Sequence, residues 1–107
     1  MGLALQPFIP SVAKDPQSSE PQGIDWTAFL AKLGASVVIA TSAWSVSGPD
    51  AALTITGEVL EAGSLRTHAI FSGGTPGAQY LITNRITTTS TPVVQDDRSF
   101  VLVINDR

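Results

Sequence analysis

The chain has 107 residues, 6 basic against 9 acidic side chains and a net charge of -3. That length suits one domain, the absence of cysteine excludes disulfide scaffolds and thiolate metal sites, and six basic residues scattered from Lys14 to Arg107 do not make the stripe a nucleic-acid binder needs. Only 14% of residues are charged, against roughly 25% in an average globular protein, so much of the surface must be neutral Ser, Thr, Ala and Gly, a composition suited to packing against other subunits.

Residues 1–23 hold Pro7, Pro10, Pro16 and Pro21, four of the seven prolines. Proline removes a backbone donor and disfavours helix in the residue before it. The stretch is therefore predicted to be an extended Pro-rich arm, neither a regular helix nor a central strand. Two readings are open for it: a disordered tail, as termini commonly are, or an arm whose apolar residues Leu3, Leu5, Phe8 and Ile9 near the tip are anchors that order on a neighbouring subunit. The start lacks the positive n-region of a secretory signal. No apolar run approaches the roughly 18–20 residues of a membrane span, so no membrane partner is expected.

Residues 24–107 read as the folded domain. Ile24, Trp26 and Ala28 fit a period of two, whereas Trp26, Phe29, Leu30 and Leu33 fit a helical period with Asp25 as N-cap. A short edge strand running into a helical turn closed by Gly34 accommodates both. Residues 36–46 form a β-branched strand with Val38, Ala40, Ser42, Trp44 and Val46 on one face. Gly48-Pro49-Asp50 is a turn. Leu53–Thr56 and Glu58–Glu61 read as two short pieces broken by Gly57. In the next strand Leu65, Thr67, Ala69 and Phe71 alternate with Arg66, His68 and Ile70. After it Tyr80, Ile82, Asn84 and Ile86 share a face, and Phe100, Leu102 and Ile104 share another in the last strand. Six or seven short strands with turns at intervals of about ten residues predict an all-β, immunoglobulin-like antiparallel sandwich. Trp44 is placed as a ring in its core, and Tyr80, three residues after Gly77, as a corner pin.

The residues offer little for catalysis. His68 is the only histidine and has no clustered partners. Asp96-Asp97 are adjacent in a polar loop and read as solvated. Ser72-Gly73-Gly74-Thr75-Pro76-Gly77 lacks the lysine and following helix of a phosphate loop, so Gly74 and Gly77 read as hairpin positions. No enzyme activity, cofactor or metal is expected.

The succession Lys14-Asp15-Pro16, Asp25-Trp26, Trp44-Ser45-Val46, Ser72-Gly73-Gly74-Thr75 with Gly77, Tyr80 and Ile82-Thr83-Asn84, then Asp97-Arg98-Ser99-Phe100, resembles small virion proteins of tailed bacteriophages often labelled fiber–tail adaptors. The resemblance covers roughly residues 14–107 and is most specific from Ser72 to Thr88. It implies a non-enzymatic β-sandwich of the particle, linking tail or neck to fiber components and assembling with portal, tail, fiber or capsid subunits and with its own copies. A capsid decoration or cement protein is the nearest alternative. A carbohydrate-binding sandwich is the third and would need exposed aromatics, for which Trp26, Trp44 and Tyr80 are the candidates.

Overall fold

A computed structural model describes residues 11–105. The period-two runs become seven strands: β1 (Ser11–Lys14), β2 (Ser19–Asp25), β3 (Ile39–Ser47), β4 (Leu53–Leu60), β5 (Arg66–Gly73), β6 (Gln79–Thr88) and β7 (Gln95–Ile104), with one helix, α1 (Thr27–Leu33). Two sheets pack as a sandwich, one of order β1-β7-β6-β3 and the other β2-β5-β4. All pairings are antiparallel except β1 with β7, which run in parallel. The N-terminal strand thus returns along the edge of the last one, a departure from the wholly antiparallel sandwich expected.

Leu3, Leu5, Phe8 and Ile9 lie outside the described residues. The rest of the expected arm is strand: residues 11–14 and 19–25 belong to the sheets. The prolines allow this because both segments are edge strands. Trp26 N–H donates to the Leu65 carbonyl at 2.9 Å, which sets the ladder so that even-numbered residues of β2 face β5. Pro21 therefore turns its missing donor to the free edge. Pro16 occupies the second position of the turn between β1 and β2, closed by Ser18 N–H on the Asp15 carbonyl at 3.1 Å. The Asp15 carboxylate also accepts from Gln17 N–H at 2.8 Å.

Two other departures have local causes. Gly57, at φ 58°, does not end a strand. It sits in an irregularity between Thr56 and Val59 within a continuous β4. A second irregularity between Ile39 and Thr41 turns Ile39 and Trp44 both inward, although simple alternation puts them on opposite faces. At α1 the N-cap position is Trp26. Asp25 acts one residue earlier, its carboxylate accepting from the N–H and hydroxyl of Thr27.

The core has two parts. Trp44, Leu53, Phe71, Tyr80, Ile82, Phe100, Leu102 and Ile104 fill the space between the sheets with Ala69. Trp26 and Leu30 close one end over Ile39 and Ile86.

Candidate interaction surface

The sheets are fixed to each other by a directed chain of buried and part-buried hydrogen bonds. Trp26 Nε1 donates to Asn84 Oδ1 at 2.9 Å. Asn84 Nδ2 donates to Ser42 Oγ at 2.9 Å and to the Ala43 carbonyl at 3.2 Å. Thr67 Oγ1 gives its proton to the Val59 carbonyl at 3.0 Å, so it accepts from Ser42 Oγ at 2.9 Å and from Trp44 Nε1 at 3.3 Å. Asn84, Ser42 and Trp44 belong to one sheet, Thr67 and Val59 to the other. Every donor in the chain has an acceptor, which is what permits so much polarity in a core. Trp44 also makes edge contacts with Phe71 and Phe100, at 5.7 and 6.4 Å between ring centroids.

The loops at one end of the sandwich are tied through Tyr80. Its hydroxyl accepts from Thr75 N–H at 3.0 Å and donates to Asp50 Oδ1 at 2.6 Å. Asp50 also accepts from Thr75 Oγ1 at 2.7 Å and Ala52 N–H at 3.0 Å. The Tyr80 ring lies so close to Gly48 that a Cβ there would sit 2.4 Å from Cδ2. Gly74 and Gly77 adopt φ of 102° and 84°, and a Cβ on Gly74 would meet Ile104 Cδ1 at 2.7 Å. Both glycines serve a turn that side chains would strain.

Lys14 is a second clip between the sheets. It is only 2% exposed, and its Nζ donates to the carbonyls of Gly73 at 2.8 Å and Asp15 at 2.7 Å. Burial pulls its pKa below the usual lysine range, against the opposing pull of Glu20 and Asp15. His68 is half-buried, with Nδ1 2.9 Å from Glu61 Oε2, and Glu61 also pairs with Arg66 at 3.3 Å. This trio ties the β4–β5 turn.

Three carboxylates give the fold an acid limit. Donation from Tyr80, then Ala52 and Thr75, holds Asp50 below the usual carboxylate range. Thr27 does the same for Asp25, and Arg85 for Asp97. A depressed folded-state pKa contributes stability that is complete above the unfolded value of about 3.9 and is lost as pH falls through the folded one. Thermal melts should therefore be level from neutral pH to about 5 and fall below about 4. Asp50→Asn should show a shallower acid decline, and an unchanged slope would remove Asp50 from this account.

The outer face of the four-stranded sheet is largely neutral. Cross-strand neighbours run Ser45–Thr83–Ser99 and Ser47–Leu81–Val101–Ser11, with Val103 beside Ala13. Thr83 and Ser99 share a hydrogen bond at 2.9 Å, and Thr41 and Thr87 one at 2.6 Å. The charges on this face are paired: Arg85 bonds Asp97 through Nε at 2.7 Å and Nη2 at 3.0 Å. Leu81 stands out of it, 37% exposed. Chemically such a face can pack flat against another protein surface, since it asks little desolvation of charge. It is a poor sugar platform, because Trp26, Trp44 and Tyr80 are all buried. Among the described residues no three His, Asp or Glu groups converge as metal ligands.

Residue reading missed Asn84, Thr67 and Ser42 as a connected set. The available signal was a polar residue in the inward row of β6 and another in that of β5. Asp50 and Lys14 carried no such signal, because Thr75 and Tyr80 for the one and Gly73 for the other lie far away in sequence.

Compared with protein families, the chain matches the model described as podophage GP4 fiber-tail adaptor protein gp77 over residues 14–103. The chain belongs to that family. The match opens on the buried Lys14, takes in β2 to β6 whole and stops within β7. Membership makes this adaptor-family protein a structural component of the phage particle. No curated protein matches the chain.

Proposed function

We propose that this protein joins the tail or neck of a podophage to its fibers, as one of several identical copies in the assembled virion, after synthesis in the host cytoplasm. The outer face of the four-stranded sheet docks on a tail, portal or fiber subunit, and the N-terminal segment carrying Leu3, Leu5, Phe8 and Ile9 reaches a neighbour. It works by holding surfaces together, with no catalytic step and no cofactor. The observation that carries this reading is the neutral outer face with its single protruding Leu81, in a chain of the fiber-tail adaptor family. The immunoglobulin-like description of the sandwich is supported by its strand order, β2-β5-β4 facing β3-β6-β7, and by the Tyr80 hydroxyl reaching back to Thr75 N–H.

Leu81→Arg tests the docking face. An exposed strand position away from the core should change folding stability by no more than about 0.5 kcal/mol. In the assembled particle the unpaired charge should cost about 2 kcal/mol or more, roughly a thirtyfold loss of affinity. Complementation of a phage lacking the gene should then give particles depleted of fibers. Normal incorporation and normal fibers would remove this face from the interface.

A further inference from the structure

Among the described residues, β3 ends the four-stranded sheet with no strand beyond it. Thr88 N–H donates to the Val94 carbonyl and Ile104 N–H to the Ala78 carbonyl, both at 3.0 Å. The even-numbered residues of β6 therefore bond β7, and the odd-numbered ones bond β3. Ser45 stands opposite Thr83 and Ala43 opposite Arg85, so the odd-numbered residues of β3 are the ones bonded to β6. Ser42, Trp44 and Val46 turn their N–H and C=O groups to the free edge. Both ends of the described chain lie at the opposite edge of this sheet. Ser11 begins β1, and Asn105 N–H donates to the Lys14 carbonyl of β1 at 2.9 Å. β7 and β6 stand between these ends and β3.

Exposed edges are commonly guarded against pairing by proline, charge or an irregularity. In the three-stranded sheet β2 carries Pro21, and β4 is interrupted between Thr56 and Val59, where Gly57 and the exposed Glu58 sit. From Thr41 to Ser47 β3 has none of these devices. It holds no charge and no proline, and its register with β6 is unbroken. Val46 adds a second observation. It has the inward parity of Trp44, yet it is 39% exposed where Trp44 is 8%. The strand thus presents free backbone along its edge and an inward apolar side chain without cover at one end.

We propose that β3 pairs with β3 of a second copy of this chain, antiparallel about a twofold axis at Trp44. Free groups then meet free groups: Trp44 pairs with Trp44 of the second copy, and Ser42 with Val46. The strand is complementary to itself in this register. No like charges are opposed. On the outer face only small side chains meet at the seam, Ala43 against Ser45 and Thr41 against Ser47. On the inner face Val46 lies against Ser42 and diagonal to Trp44 of the second copy, which gives it the missing cover. A twofold axis perpendicular to the sheet keeps both outer faces on one side. The two neutral faces around Leu81 join into one continuous docking surface. The inference rests on the docking face and the multiple copies proposed above.

Sedimentation equilibrium of the full-length protein should show a dimer. Val46→Pro removes an N–H that points to the free edge, where proline is tolerated. It should keep the near-ultraviolet circular dichroism of the fold and raise the dissociation constant of the dimer about tenfold or more, since the axis repeats each loss. The chain has no cysteine, so engineered thiols report the register. Ala43 and Ser45 would face each other across the seam as a non-hydrogen-bonded pair, with Cα atoms about 4.5 Å apart, within reach of a disulfide. An equal mixture of Ala43→Cys and Ser45→Cys proteins should oxidise mainly to mixed dimers. Thr54→Cys, on β4, should not replace Ser45→Cys. Protein that stays monomeric overturns the proposal. So does a dimer that a folded Val46→Pro leaves intact, or mixed disulfides no commoner than like-with-like ones. Should Val46→Pro fail to fold, the disulfide pattern decides. A monomer leaves the adaptor reading standing, because Leu81→Arg tests that reading by the fibers on particles.

Discussion

Asn84→Leu should lower the free energy of unfolding by about 3 kcal/mol, the largest loss expected from any isosteric change in this core. The substitution keeps side-chain volume, so little of the effect comes from a cavity. It leaves Trp26 Nε1, in a ring with no exposed surface, without its acceptor at 2.9 Å, and it takes from Ser42 the donor that orients its hydroxyl toward Thr67. An orphaned buried donor costs about 1–3 kcal/mol, and the broken chain adds to that. At roughly 4–8 °C per kcal/mol for a domain near this size, the melting temperature should fall by about 12–24 °C. Trp26→Phe removes the orphaned donor. In the Asn84→Leu background it should therefore cost about 1 kcal/mol less than in the native chain, a coupling that denaturant titration of the four proteins measures. Strict additivity would mean that the two side chains contribute separately and that no relay joins the sheets.

Trp44→Ala should cost about 4 kcal/mol, within the range for truncating a large buried aromatic. The indole is one corner of a three-ring cluster with Phe71 of one sheet and Phe100 of the other, which also touch each other at 6.1 Å, so its loss opens a void at the contact between the sheets. It also deletes the Nε1 bond to Thr67. Single domains are stable by only about 5–15 kcal/mol, and this variant should sit near the edge of folding at 37 °C. Trp44→Phe keeps the edge contacts and should cost less than half as much. Equal losses for the two would place the stabilisation in the indole N–H rather than in the aromatic packing.

Where burial follows a period of two, the fold was readable. The inward rows of β5, β6 and β7 are the apolar rows of the sequence, since no irregularity interrupts those strands. β3 was misread because its irregularity near Ala40 changes which residues face inward, and a shift set by the neighbouring strand leaves no trace in alternation. Pro21 bars a central strand, and β2 is an edge strand. That Pro21 would face the free edge of β2 depends on a hydrogen bond from Trp26 to Leu65, which a local reading does not contain. Tyr80 was conspicuous by its place after the glycine turn, but its acceptor Asp50 lies 30 residues earlier. Alternation sets Leu81 on the face opposite Tyr80 and Ile82, and Val101 and Val103 on the face opposite Phe100 and Leu102; that the three lie side by side on the outer face follows only from the pairing of β6 with β7. The family, by contrast, was legible from the run Ser72–Thr88, in which the turn glycines, Tyr80 and the Asn84 row all serve the core.

The adaptor role is tested most directly by purifying particles grown with this gene disrupted and comparing their composition and images with those of the parent phage. The account predicts that the protein is present in parent particles, and that without it the tail assembles while the fibers are missing. Particles that carry their full complement of fibers in its absence, or parent particles that do not contain the protein, would contradict it.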